Sequence, residues 1–89
     1  MEIKISEREK KCLTYLLSIY GNDQDCTYFR FIGQAVGLEE QKVRRVVRSL
    51  ARKGLAEYVR GLFDERGFIA GSGYRATELG RKLGDELQL

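Results

Sequence analysis

Apolar residues recur at helical spacing near the start of the chain: Leu13, Leu16, Leu17 and Tyr20, flanked by Cys12 and Ile19. Ahead of them Ser6-Glu7-Arg8-Glu9 forms a capping box. The serine hydroxyl accepts from the third helical N–H, and Glu9 reaches back to the cap. The pattern predicts a helix over about 6–20, stopped by Gly21. Asn22-Asp23-Gln24-Asp25 reads as a polar loop. Phe29, Ile32, Ala35 and Val36 form a second stripe and predict a helix over about 28–36 with Thr27 as its N-cap. Cys26–Phe29 is also compatible with a short extended start. Gly33 inside this helix costs roughly 1 kcal/mol against alanine, which close approach of the next helix would offset. Gly37 ends it, since glycine adopts the left-handed conformation without a β-carbon clash.

The third apolar stripe is Val43, Val46, Val47 and Leu50, on one side of a helix predicted over about 40–53. Gln41, Arg45, Arg48 and Arg52 point almost directly away from it. Arg44 lies beside them, and Lys42 and Lys53 lie on the opposite flank. Gly54 closes the helix, and the pattern then changes. Leu55–Phe63 is rich in strand formers, Asp64-Glu65-Arg66-Gly67 is a turn signal, and Phe68–Arg75 is the return strand, weakened by Gly71 and Gly73. These predict a β-hairpin over about 55–75. Thr77 caps a last helix over about 77–87, with Leu79, Leu83 and Leu87 four apart. The order predicts a single α+β, mostly α domain over residues 1–89: a winged helix-turn-helix with a three-helix core, a hairpin wing and a C-terminal helix.

Charge adds a functional direction. The formal net charge is only +3, but six of the sixteen cations fall in residues 42–53, and Gln41–Lys53 contains no acid. A local basic stripe points to an anionic partner. Histidine is absent, which removes the commonest general base and metal ligand. Glu39-Glu40 sits at a helix start, where acids suit the helix dipole, and no phosphate-cradling glycine loop or nucleophile–base constellation is visible. No enzyme activity, cofactor or metal is therefore expected. The charged N-terminus and the lack of an apolar run near ~20 residues predict a cytoplasmic chain. In that compartment Cys12 and Cys26 read as two reduced thiols, with Cys12 packed in the first helix. A redox-sensing pair is the alternative.

Three stretches carry a family resemblance. Ile32-Gly33-x-x-Val36-Gly37-Leu38 resembles the second helix and turn of the MarR-type regulators and their winged-helix relatives. Val43-x-x-x-Val47-x-x-Leu50-x-x-x-Gly54-Leu55 resembles their recognition helix and the glycine before the wing. Ala76-Thr77-Glu78-Leu79-Gly80-Arg81 resembles the threonine-to-glycine signature after the wing, and Asp64-x-Arg66-Gly67 is similar to the wing-tip motif. The likeness covers about residues 6–84. It departs from the family in a longer wing and in Glu39-Glu40, where serine or threonine is commoner.

The resemblance implies sequence-specific binding to double-stranded DNA by a prokaryotic or viral transcriptional regulator. Gln41, Arg44, Arg45 and Arg48 are the expected base readers, because arginine pairs bidentately with guanine and glutamine with adenine. Lys42, Arg52, Lys53, Arg60 and Arg66 are the expected phosphate or wing contacts. The bland alternative is a solvated helix face on a winged-helix module that binds another protein. The wing aromatics Tyr58, Phe63, Phe68 and Tyr74 are expected to pack the small sheet. The leucines of the last helix either close the domain's own core or form a two-fold contact, and a homodimer is the expectation. The residues name no small-molecule effector.

Overall fold

The computed structural model describes residues 3–20, 28–63 and 69–89, with residues 60–63 and 69–72 described through their backbone alone. The elements follow the expected order: α1 (Glu7–Ser18), α2 (Phe29–Val36), α3 (Glu40–Arg52), β1 (Ala56–Phe63), β2 (Ile69–Ala76) and α4 (Glu78–Leu87). The two strands form one antiparallel hairpin, with Ala56 opposite Ala76 and Tyr58 opposite Tyr74. The register shifts between Val59 and Leu62 and again between Leu62 and Phe63.

α1 begins as its sequence dictates. The Ser6 hydroxyl accepts from the Glu9 N–H, and the Glu9 carboxylate accepts from the Ser6 N–H. The helix ends at Ser18 with Ile19 as C-cap, two residues before the expected end. Gly21, the expected stop, lies outside the described residues. The expected cap Thr27 does too, and the N-cap of α2 is Tyr28, whose side chain makes no capping bond.

The turn between α2 and α3 explains Gly33. A β-carbon there would stand 2.7 Å from the Leu38 carbonyl oxygen and 3.4 Å from a Val43 methyl. The approaching group is first the backbone of the turn and only then α3. That turn folds back because the Gly37 and Leu38 N–H groups both donate to the Gly33 carbonyl, with Gly37 at φ 74°. α3 closes in the same way. Gly54 at φ 81° lets the Leu55 N–H return to the Leu50 carbonyl at 2.9 Å and sends the chain into β1.

Cys12, Leu13, Leu16, Ile32, Val43, Val47, Leu50 and Leu55 are fully buried, with Ala56, Ala76 and Leu83 beside them. One core thus joins α1, α2, α3, α4 and the base of the hairpin. α4 is fixed by Thr77, whose hydroxyl accepts from the Gly80 N–H and donates to the Gly54 carbonyl at 2.6 Å. The leucine stripe of α4 divides: Leu83 is buried, Leu79 packs on the core, and Leu87 is exposed.

Burial pushes the Cys12 thiol up to about 11, with the nearby Glu9 charge adding to the shift. A thiol with so little thiolate is a poor nucleophile. In a Cys26→Ser background, Cys12 is expected to react with a disulfide reagent at pH 8 at least about a hundredfold more slowly than free cysteine, and to react freely in denaturant. Fast reaction of the native protein would show that Cys12 is accessible. Cys26 lies outside the described residues.

Candidate nucleic-acid interface

α3 has thirteen residues and three faces with different fates. Val43, Val47 and Leu50 enter the core. Gln41, Lys42, Arg44, Arg45, Arg48 and Arg52 are exposed. None of these cations makes an ion pair among the described residues. The only acids on the helix side of the turn are Glu39 and Glu40, both exposed.

One flank of this face borders the hairpin. Glu40, Arg44 and Arg48 stand at i, i+4 and i+8, so they form one ridge along the helix. The ridge lines an open cleft of ≈ 580 Å³ whose other walls are Tyr28, Phe29, Tyr58, Gly73 and Tyr74. The cleft floor is aromatic: Phe29 lies 5.3 Å from Tyr74, and Tyr74 lies 5.3 Å from its cross-strand partner Tyr58. The Arg44 guanidinium sits over the Phe29 ring at 5.4 Å. That stacking holds a long cation in one place without neutralising it. Packing was the role expected of Tyr58 and Tyr74: Tyr74 packs against the core, whereas Tyr58 is half exposed and touches Tyr74, and both wall the cleft. Phe63 and Phe68 have side chains outside the described residues.

The other flank is turned inward at its end, and Lys53 departs from the expectation of a phosphate contact. Its ammonium donates to both Glu9 carboxylate oxygens at 2.9 Å and to the Lys4 carbonyl at 2.9 Å. Ser49, one turn earlier, donates to the same carboxylate at 3.1 Å. Glu9 is the only charged residue buried among the described ones. Burial raises its pKa, but the Lys53, Ser6 and Ser49 hydrogen bonds and the Lys53 charge outweigh that, and the net shift is downward. Lys53 therefore latches α3 to α1. A helical wheel gives its flank but not the element that faces it.

The expected wing contacts Arg60 and Arg66 fall among residues whose side chains are not described. Arg75, also on the wing, pairs through its Nε with Glu57 directly across the hairpin. The aromatic walls and the place of Glu40 on the arginine ridge were missed in the sequence. The i, i+4, i+8 spacing was a readable signal for Glu40.

No family model matches the sequence, and no curated protein matches it. Solved structures do match. MepR from S. aureus bound to ethidium bromide superposes with a TM-score of 0.77 at 22% identity, over 98% of this chain and 57% of that one. The PcaV transcriptional regulator from Streptomyces coelicolor gives 0.73 at 25% identity, over 94% and 53%. A MarR/EmrR family transcriptional regulator from Acinetobacter sp. ADP1 gives 0.76 at 23% identity, over 94% and 53%. The chain has the winged-helix fold of MarR-type regulators. It spans about half the length of these structures. In winged-helix terms α2 and α3 form the helix-turn-helix, the β1–β2 hairpin is the wing, and the aromatic cleft is the angle between them. No helix among the described residues is long and apolar enough to cross a membrane.

Proposed function

We propose that this chain is a non-catalytic, cytoplasmic regulator of transcription that binds double-stranded DNA, with α3 in the major groove and the wing alongside. The observation that carries this reading is the open α3 face: five cations project to solvent without an acidic partner among the described residues, on the helix that a winged-helix fold offers to DNA. The structural neighbours described as transcriptional regulators support it. Gln41, Arg44, Arg45 and Arg48 are assigned to base edges, and Lys42 and Arg52 to phosphates. Lys53 is withdrawn from the phosphate set because Glu9 holds it. The exposed Leu87 and Leu89 are the proposed contact of a homodimer. Such a dimer would place two α3 helices in successive major grooves about 34 Å apart on a near-palindromic site.

Titration of a labelled duplex at 50–200 mM salt tests the proposal. With about five phosphates neutralised, log K falls against log salt with a slope near −4 to −5, a loss of a few hundredfold. A flat response would reject DNA binding and favour a protein-binding module. Arg45→Ala and Arg48→Ala are expected to reduce discrimination between sequences, whereas Arg52→Ala weakens all duplexes alike and lowers the slope by about 1. Equal behaviour of the two kinds of variant would overturn the division of contacts.

A further inference from the structure

Glu40 suits the dipole at the start of α3, but its side chain has no hydrogen-bond or ion-pair partner among the described residues. It is exposed in the first turn of the helix. The N-cap position is Glu39, and its side chain makes no capping bond either. A glutamate four residues before an arginine can form a weak intrahelical pair. Here Arg44 instead lies over the Phe29 ring at 5.4 Å, and the two charges are kept as separate groups. Both line the same cleft beside the wing.

The ridge Glu40–Arg44–Arg48 thus presents one acceptor followed by two donors along the exposed cleft between α3 and the wing, next to the face proposed for DNA. The chemistry of the groove gives that order a meaning. A carboxylate accepts from the N4 amino group of cytosine, whereas a base edge offering only acceptors repels it. Guanine, with N7 and O6, is the preferred partner of arginine. Four residues of helix advance about 6 Å, and base pairs are spaced about 3.4 Å apart, so the two readouts fall about two base pairs apart. A carboxylate on a DNA-facing helix also lowers affinity for every duplex through repulsion by phosphate. We infer that Glu40 is a specificity-determining residue that accepts a hydrogen bond from a cytosine amino group in the major groove, trading overall affinity for selection at one base pair. The inference rests on the DNA-binding reading above.

Selection of bound sites from a random duplex pool, using the full chain and its Glu40→Gln and Glu40→Ala variants, tests it. The wild type is expected to require cytosine at one position about two base pairs from a guanine, by about tenfold or more. Glu40→Gln is expected to move that preference to adenine, because glutamine pairs with adenine N6 and N7. Glu40→Ala is expected to lose the preference at that position alone and to bind unselected duplex more tightly. Circular dichroism confirms that both variants fold. Failure of the wild type to select any duplex would reject the DNA-binding proposal itself. Selection by the wild type, with Glu40→Gln and Glu40→Ala leaving every base preference unchanged, would overturn the role of Glu40 and leave DNA binding standing.

Discussion

Glu9→Ala is expected to lower the melting temperature by about 12–20 °C, the equivalent of about 3 kcal/mol in a domain of this size. The carboxylate is buried, and three groups converge on it: the Lys53 ammonium, the Ser49 hydroxyl and the Ser6 N–H, through which it caps α1. Removing one partner of a buried pair costs about 3–5 kcal/mol because the other charge is left unmatched. Lys53 is one-third exposed and can turn to water, which places the loss at the lower end. Glu9→Gln keeps the capping bond and loses the charge, so a smaller loss is expected. In a double-mutant cycle, Lys53→Met on top of Glu9→Ala is expected to cost far less than on the wild type. The contribution is also pH-dependent. The folded-state pKa of Glu9 lies below its ordinary value of 4.5, so the stabilisation is fully present above pH 4.5 and is lost as pH falls through the folded-state pKa. The gap in melting temperature between wild type and Glu9→Gln should narrow in acid. A loss below about 1 kcal/mol for Glu9→Ala in thermal unfolding would remove the latch.

How this latch escapes the sequence shows where local reading stops. The capping box of Ser6 and Glu9, the left-handed glycines 37 and 54, and the Thr77 cap were legible because each joins residues within a few positions of one another. The wheel of α3 also placed Lys53 on the flank away from Arg44. It did not show what covers that flank, because Glu9 lies 44 positions away and meets Lys53 only when α1 crosses the end of α3. The same limit applies to the cleft. Tyr58 and Tyr74 are related by hairpin register, which pairs them across the two strands. Their contact with Phe29 depends on how α2 sits against the wing, and no periodicity encodes that. Gly33 was read correctly as a close-approach position, but the approaching group is the turn's own backbone. The cationic face was the most legible part of the candidate site, because amphipathic spacing alone separates it from the core.

Gly80→Ala is expected to destabilise the fold by about 3 kcal/mol or more, and Gly84→Ala, one turn later on α4, by less than about 1 kcal/mol. Both glycines face α1, and the difference lies in what a β-carbon would meet. At Gly80 it would stand within 2.3 Å of the Leu55 carbonyl oxygen and 3.3 Å from a Leu13 methyl. That carbonyl cannot retreat freely: it accepts from the Thr77 N–H at 3.1 Å, and Leu55 is fully buried. At Gly84 the near neighbour is one Leu17 methyl at 2.4 Å, the end of a flexible and partly exposed side chain. A new rotamer there relieves the contact, and the better helix propensity of alanine offsets part of the cost. The two variants should also differ in function. Leu55 follows the glycine that closes α3 and begins the wing, so displacing it changes the angle between α3 and the hairpin. Gly80→Ala is therefore expected to lose duplex affinity even at temperatures where it remains folded, and Gly84→Ala to retain it. Denaturant unfolding and duplex titration of the pair measure both effects. Equal stability of the two variants would mean that Leu55 yields as readily as Leu17, and that the junction between α4 and the wing does not fix the DNA-facing geometry.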